Sequence, residues 1–214
     1  MDLLLFGPPG AGKGTQADAV RGATGVIHVS TGDIFRKHLK GGTPLGLLAK
    51  GYMDQGQLVP DDVVVDIVAT RLAEPDAAAG ALFDGFPRTV RQAELLQAWL
   101  LAHGRRIDLA LNLVVDDAVV IARLSGRRTC LACGATYHIA HNPPAVDKVC
   151  DKCGGEVVQR KDDAEDVVRA RIETYHRDTA PVLGWLRANV RVVDIDADRP
   201  IAEVESALHA ALRG

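Results

Sequence analysis

The sequence predicts an α/β protein whose core is a doubly wound parallel sheet. Short aliphatic runs alternate with segments of helical periodicity along most of the 214 residues, as in successive strand–helix–strand units. The first run leads directly into a glycine-rich loop and then a helix, an arrangement typical of phosphate binding. The alternation breaks at 126–163, where two cysteine pairs occur without helical periodicity, so we expect a small, separately organised β insertion there.

Five aliphatic runs predict the strands of the sheet, because short apolar segments bounded by turn residues are typical of parallel strands. The fourth run is nearly all apolar, which indicates burial on both faces. In chain order, the predicted strands are 2–6, 26–29, 81–84, 109–115 and 190–195.

Helices are predicted between these strands, where apolar residues recur at helical spacing. The second helix begins at Ser30, because the polar residues Ser30, Thr31 and Asp33 are of the types that cap a helix N-terminus. The short segment 57–60 separates the two helices that follow it. In chain order, the predicted helices are 16–22, 30–40, 44–56, 61–73, 90–103, 118–124, 163–188 and 200–212.

The segment Gly7–Thr15 predicts a loop that surrounds phosphate groups. Its glycines let successive backbone N–H groups point inward, and the following helix N-terminus adds partial positive charge. Lys13 supplies a mobile cation for the β- and γ-phosphates. Gly14 stands where the general pattern has a Mg²⁺-binding hydroxyl, and Thr15 follows it. A ligand-free glycine turn is the alternative, but this spacing between strand and helix favours a nucleoside triphosphate site.

The composition of the chain favours some classes of binding partner over others. The chain is 47% hydrophobic with a formal net charge of −3, which argues against broad nucleic-acid binding. Arginine makes up 18 of its 25 basic residues, and its side chain is suited to bidentate phosphate contacts. Neither a signal peptide nor a long apolar run is evident, so we expect a cytoplasmic protein without a membrane partner.

Two cysteine pairs predict a zinc site. Each pair has the C-x₂-C spacing, 16 residues separate the pairs, and glycines follow both, as in a site made of two knuckles. A disulfide framework is disfavoured because we expect a cytosolic chain. A redox-active cysteine pair is disfavoured because neither pair stands at the start of a predicted helix. Four thiolates leave no open position, so the metal has a structural role; iron or cobalt remains an alternative to zinc. The ligands are Cys130, Cys133, Cys150 and Cys153.

Several further motifs follow predicted strands or flank the insertion. Together with the glycine loop, in this order and spacing, they resemble the adenylate kinase family in its longer form with a zinc-binding lid. The resemblance extends from Met1 to about Pro200. The motifs are Ser30–Arg36, Phe83–Thr89 with Gln92, Gly126–Arg128, Arg160–Asp163 and Arg171.

This resemblance implies a nucleoside monophosphate kinase that catalyses the reversible reaction ATP + AMP = 2 ADP with Mg²⁺, by direct in-line transfer inside a closed lid. Such an enzyme maintains the balance of adenine nucleotides, and we expect a monomer without a nucleic-acid partner. The implied domains are a P-loop core at 1–29, 60–125 and 164–214, an AMP-binding insertion at 30–59 and a zinc-binding lid at 126–163.

The resemblance also implies the roles of individual residues. The ATP-binding residues would be Gly10, Ala11, Gly12, Lys13, Gly14, Thr15, Arg123, Arg127, Thr136, Tyr137 and Arg199. The AMP-binding residues would be Thr31, Arg36, Gln57, Leu58, Val59, Gly85, Phe86, Pro87, Arg88, Gln92, Arg160 and Arg171. Thr15 and Asp84 would hold Mg²⁺ through water. The catalytic cations would be Lys13, Arg88, Arg127, Arg160 and Arg171.

The sequence leaves the roles of some residues undecided and allows rival functions to be compared. Asp162 and Asp163 are either helix N-terminal acids or partners of the lid arginines, and His138 and His141 are interpreted as loop residues. A kinase with another acceptor or donor base is the nearest rival. A GTPase switch lacks its Asn-Lys-x-Asp motif, and a nucleic-acid zinc ribbon leaves the arginine motifs unexplained. The arginines without a matching motif are assigned to the surface: Arg105, Arg106, Arg177, Arg187 and Arg191.

Overall fold

The computed structural model describes residues 1–214 and contains two sheets. The large sheet is parallel throughout, which confirms the predicted fold class. The strands are β1 (Asp2–Phe6), β2 (Ile27–Ser30), β3 (Ala81–Asp84), β4 (Ile107–Val114), β5 (Arg127–Cys130), β6 (Thr136–His138), β7 (Val157–Val158) and β8 (Val192–Asp196). The strand order across the large sheet is β2-β3-β1-β4-β8.

Helices cover both faces of the large sheet. Along β1, Leu3 and Leu5 pack into one apolar cluster with the first and last helices of the chain, whereas Leu4 and Phe6 pack into the other with the second to fifth and the eighth helices. This alternation follows from the two-residue period of a strand. The helices are α1 (Lys13–Thr24), α2 (Thr31–Lys40), α3 (Pro44–Met53), α4 (Asp61–Leu72), α5 (Val90–Ala102), α6 (Asp117–Gly126), α7 (Glu165–Thr174), α8 (Ala180–Asn189) and α9 (Ile201–Arg213).

The predicted boundaries need three main corrections. The third helix ends at Met53 rather than residue 56, because Gly56 adopts a φ of 70°, outside the right-handed helical region. The fourth strand begins two residues earlier, at Ile107, whose side chain is buried in the core. The predicted helix 163–188 is α7 and α8 joined by a π-helical turn at Tyr175–Thr179, which periodicity does not reveal.

The insertion between α6 and α7 forms the second, antiparallel sheet, with the strand order β6-β5-β7. Its buried cluster is small and contains two of the cysteines, Cys130 and Cys150, with Tyr137 and Val157. His138 ends β6, so its interpretation as a loop residue was wrong; its ring stacks on that of His141 at 4.5 Å. This segment has too small an apolar core to be stable without a cross-link or metal.

The assignment of Arg105 to the surface is also wrong, because its side chain is only 17% exposed. Its guanidinium donates to the carboxylate of Asp2 at 2.9 and 2.5 Å, and the Asp2 side chain is only 2% exposed. Asp2 also accepts a hydrogen bond from the Ala81 backbone N–H at 3.0 Å. The pair therefore ties the start of β1 to the segment before β4 and to β3.

The carboxyl ends of β1, β2 and β3 lie side by side, since Ser30 and Leu5 are both in register with Asp84. In open α/β sheets, ligands bind in the crevice outside these strand ends. A cleft of about 1630 Å³ opens there, between the sheet edge and the antiparallel insertion. None of the helices combines the length and the apolar character needed to cross a membrane.

Candidate active site

The glycine loop follows β1 at the floor of the cleft. Gly7, Gly10 and Gly12 all have positive φ, and a Cβ on Gly7 would lie 2.6 Å from the Leu113 carbonyl oxygen. Only glycine fits this close backbone approach. Gly12 caps α1 without a side-chain hydrogen bond, so the first N–H groups of the helix face the cleft without a side-chain acceptor.

Lys13 is half-buried at the start of α1. Its ammonium group donates to the carbonyl oxygens of Gly7 and Pro8, both at 2.8 Å, so the side chain is folded back against the glycine loop. Burial lowers the pKa of Lys13 to about 8, and neighbouring arginines add to this while Asp84 opposes it. A lysine whose charge is disfavoured in this way is stabilised when an anion arrives.

Arginines from four other segments reach the same cleft. Burial and then the charge of Arg171 lower the pKa of Arg88 to about 10. Burial and then the charge of Arg36 lower the pKa of Arg160 to about 10, and burial also lowers the pKa of Arg171. Like charges brought this close favour the binding of a highly charged anion.

Asp162 and Asp163 pair with two arginines that line the cleft, Arg127 and Arg171. The Asp163 side chain is fully buried and accepts from Arg127 at 2.8 and 2.5 Å and from Arg171 at 3.3 Å. Asp162 accepts from Arg171 at 3.1 Å. Both acids lie in a short 3₁₀ turn at Lys161–Asp163, before α7 begins, so their role is to pair with arginines.

One wall of the cleft is formed by the loop after β3. The Thr31 hydroxyl donates to the Gly85 carbonyl at 2.9 Å, and the Arg88 Nε donates to the same oxygen at 2.6 Å. Gly85 has a φ of 71°, and a Cβ there would lie 2.8 Å from the Arg88 guanidinium. Glycine is favoured here because its positive φ is a backbone conformation in which other residues are strained. A side pocket beyond this loop contains Gln57, Leu58, Val59 and Gln92 with Thr31 and Arg36.

Gln92 is 1% exposed, and both ends of its amide have partners. Its Nε2 donates to Asp61 Oδ1 at 2.7 Å, and its Oε1 accepts from the Arg88 backbone N–H at 2.7 Å. One amide hydrogen and one oxygen lone pair remain for a ligand in the side pocket. Sequence reasoning missed Asp61, which is 31 residues from Gln92, because no spacing rule relates the starts of α4 and α5.

The opposite wall is formed by α6, β6 and the loop after β8. Arg123 donates to the Ala197 carbonyl at 2.8 Å, which fixes its guanidinium at the rim. Arg199 pairs with Asp196 at 2.9 Å and is mostly exposed. Thr136 and Tyr137 line this wall too, although the Tyr137 hydroxyl lies 3.3 Å from Cys150 Sγ, inside the insertion.

Asp84 and Thr15 provide oxygen atoms at the floor. Asp84 is 13% exposed, and His28 Nε2 is its only side-chain partner, at 3.3 Å. A Cβ on Gly14 would be 3.9 Å from Asp84 Oδ2, so this carboxylate faces the first turn of α1 beside Thr15. Carboxylate and hydroxyl oxygens are suitable for Mg²⁺ with retained waters. His28, a second residue that sequence reasoning missed, lies one strand away from Asp84.

The four cysteines converge as the spacing predicts. Their sulfur atoms all lie within 4.8 Å of one another, and two Sγ–Sγ distances are 3.6 Å. Four sulfurs about 2.3 Å from a tetrahedral zinc would lie about 3.8 Å apart. A disulfide requires about 2.05 Å, and all four cysteines are free. The donor set and its dimensions therefore fit Zn²⁺.

All the residues named for the two nucleotides line the cleft or its side pocket. The floor contains the glycine loop, one wall contains the loop after β3, and the arginines of the insertion and α7 line the same cleft. Residues from many separate stretches of the chain thus surround one space of about 1630 Å³, which exceeds the roughly 300–1,000 Å³ of a typical single-ligand site.

Comparison with known proteins gives a consistent result. The family model for adenylate kinase matches residues 5–190. The protein named adenylate kinase from Acidothermus cellulolyticus is 53% identical over 213 residues, which cover 100% of this chain and 98% of that protein. The proteins of the same name from Methanocella arvoryzae and Carboxydothermus hydrogenoformans are each 48% identical, over 100% of this chain and 99% and 100% of theirs.

Proposed function

Because the chain belongs to the adenylate kinase family, it transfers a phosphoryl group reversibly between ATP and AMP, and we propose that the transfer takes place in the cleft between the glycine loop and Arg88. In this proposal, ATP lies along the glycine loop with its base near Arg123, Thr136 and Arg199. AMP lies in the side pocket, with its phosphate toward Arg36 and Arg88.

The observation that supports this assignment is the convergence of half-buried cations in the cleft. Lys13, Arg88, Arg160 and Arg171 all have lowered pKa values because burial and like charges disfavour them. Fewer carboxylates than cations face them, so the cluster has excess positive charge. Two nucleotides with facing phosphate chains would supply the matching negative charge.

The chemistry requires alignment more than a reactive side chain. A phosphate oxygen of AMP is itself the nucleophile, and the protein holds it in line with the bond that breaks. Lys13 would leave the Gly7 and Pro8 carbonyls to contact the transferring group, while Arg88, Arg127, Arg160 and Arg171 stabilise charge on the equatorial oxygens. Because water is a competing acceptor, closure of the insertion over the cleft protects the reaction.

Asp84 and Thr15 are the residues proposed to hold Mg²⁺ through water. The ion, when bound, neutralises charge on the phosphates and orients them. Asp84 suits this role because it is largely buried, has one side-chain partner and faces the first turn of α1. His28 Nε2 lies 3.3 Å from Asp84 Oδ2 and limits the rotation of this carboxylate.

We also propose the domain roles implied by the family. The core consists of 1–29, 60–125 and 164–214, the AMP-binding insertion of 30–59 and the zinc-binding lid of 126–163. The antiparallel sheet within the last segment supports a separate lid, and zinc would take the place of the missing apolar core. Four free thiols suit a reducing compartment, which supports a cytoplasmic location. One chain contributes every proposed site residue, which supports a monomer acting on free nucleotides.

The direct test is disproportionation of ADP. Purified protein with Mg²⁺ and ADP alone is expected to yield ATP and AMP in equal amounts, and chelation of Mg²⁺ should stop the reaction. Lys13→Ala should abolish most of the activity. The matched control is Lys40→Ala, which removes an exposed lysine that has no ion pair. Release of inorganic phosphate without AMP, or an unaffected Lys13→Ala enzyme, would contradict the proposal.

A further inference from the structure

Asp61 joins the start of α4 to the start of α5 and contacts Gln92, which lines the side pocket. Its Oδ1 accepts from Gln92 Nε2 at 2.7 Å, and its Oδ2 accepts from the Thr89 hydroxyl at 3.0 Å. Thr89 in turn caps α5 by accepting from the Gln92 backbone N–H at 3.1 Å. Both carboxylate oxygens are therefore directed at the residues that position the Gln92 side chain.

These contacts define which end of the Gln92 amide is nitrogen and which is oxygen. A carboxylate has only acceptors, so the amide group facing Asp61 must be the donor. A backbone N–H has only a donor, so the group facing Arg88 must be the oxygen, as its 2.7 Å contact requires. A flipped amide would place oxygen against carboxylate and N–H against N–H. Both contacts would then be repulsive.

The orientation of the amide determines which purine it can bind. Adenine presents a donor, its 6-amino group, beside an acceptor, N1. Hypoxanthine presents the reverse order, a 6-oxo acceptor beside an N1–H donor. The remaining lone pair and N–H of an amide held in one orientation complement adenine, whereas the flipped amide would complement hypoxanthine.

We propose that Asp61 is a positioning residue that sets the acceptor-base specificity of the enzyme. It holds the Gln92 amide in the orientation that matches adenine and disfavours the orientation that would accept a 6-oxopurine. The inference depends on the proposed function, because it assumes that the acceptor base lies in the side pocket beside Gln92. Asp61 acts through Gln92 and does not touch the substrate.

The wild-type enzyme supplies the first measurement. The kcat/KM values are compared for three acceptors at saturating MgATP: AMP, purine riboside 5′-monophosphate and IMP. Purine riboside keeps the N1 acceptor and lacks a 6-substituent, so it loses one contact, whereas IMP meets two repulsions. A fixed amide therefore predicts the order AMP, purine riboside monophosphate, IMP. A freely flipping amide predicts that IMP is used nearly as well as AMP, which would overturn the proposal.

The second measurement compares variants. Asp61→Asn is nearly isosteric but can offer either a donor or an acceptor to Gln92, so we expect the AMP-to-IMP ratio of kcat/KM to fall about 10-fold. Asp61→Ser, which suits a helix N-terminus, has the same ambiguity and should give a similar fall. The matched control is Asp62→Asn, because Asp62 is 79% exposed, contacts only Arg91 and should leave the ratio unchanged.

The ratio is a suitable readout because it does not depend on how much of a preparation is folded. A purely structural role of Asp61 would lower both kcat/KM values equally and preserve the ratio, which would overturn the inference. Gln92→Ala separates the two proposals. If it lowers kcat/KM for AMP while the Asp61 variants keep wild-type selectivity, only the inference about Asp61 fails. If AMP is not an acceptor of the wild-type enzyme, the proposed function itself fails.

Discussion

Asp163→Asn should destabilise the protein strongly, and added nucleotide should restore much of the loss. The Asp163 side chain is fully buried and accepts three hydrogen bonds from Arg127 and Arg171. Removing one member of a buried ion pair typically costs about 3–5 kcal/mol, because the partner charge is left uncompensated. Asparagine still accepts a hydrogen bond, so we expect about 3 kcal/mol. For a chain of this size, that loss corresponds to a fall of about 6–12 °C in Tm.

The assay is thermal unfolding followed by circular dichroism, with and without MgADP. Bound phosphates would supply the negative charge that Arg127 and Arg171 have lost, so the gain in Tm from MgADP should be larger in the variant than in the wild type. Asp18→Asn is the matched control, because the Asp18 carboxylate is 87% exposed and pairs only with Arg21. If Asp163→Asn lowers the Tm no more than this control does, the buried network is not the stabilising element described above.

Three further outcomes are expected. Lys13→Ala should reduce kcat by about 10³–10⁵-fold with an almost unchanged circular dichroism spectrum, since a charge on the transferring group is lost; a variant with a tenth of wild-type activity would contradict this. Removal of zinc, or Cys130→Ser with Cys133→Ser, should lower the Tm by several degrees or more, because zinc supplies on the order of 10 kcal/mol of folding free energy. Activity at lower temperature should persist because Arg127 and Arg160 lie outside the cysteine pairs; a folded but inactive metal-free protein would assign the metal a catalytic role. Burial lowers the pKa of Lys13 from 10.5 to about 8, so between these values the unfolded state binds more protons and this group's contribution to stability rises with pH. The free energy of unfolding of Lys13→Met should therefore rise less between pH 8 and 10.5 than that of the wild type. If the two proteins gave the same dependence on pH, the Lys13 ammonium would not be the cause of the rise.

The sequence by itself determined the fold class and the position of the glycine loop between a strand and a helix, because both depend on local patterns. Aliphatic runs of strand length, helical periodicity and the Gly-x₄-Gly-Lys spacing each act within a few residues. The C-x₂-C pairs likewise predicted that four thiols would meet, and their sulfur atoms lie within 4.8 Å of one another. Segment ends such as Met53 were not determined in this way, since caps and single positive-φ glycines decide them.

Only the tertiary structure decided which charged and polar groups are partners. Asp163 could have been a helix N-terminal acid, and its burial between Arg127 and Arg171 follows from how the insertion packs against α7. Arg105 resembles a surface residue in the sequence but pairs with buried Asp2, 103 residues away. Asp61 and Gln92 meet because α4 and α5 pack together, and no pattern along the chain records that contact. Hydrogen bonds and ion pairs depend on distances of a few ångströms between distant segments, so packing rather than local sequence determines them.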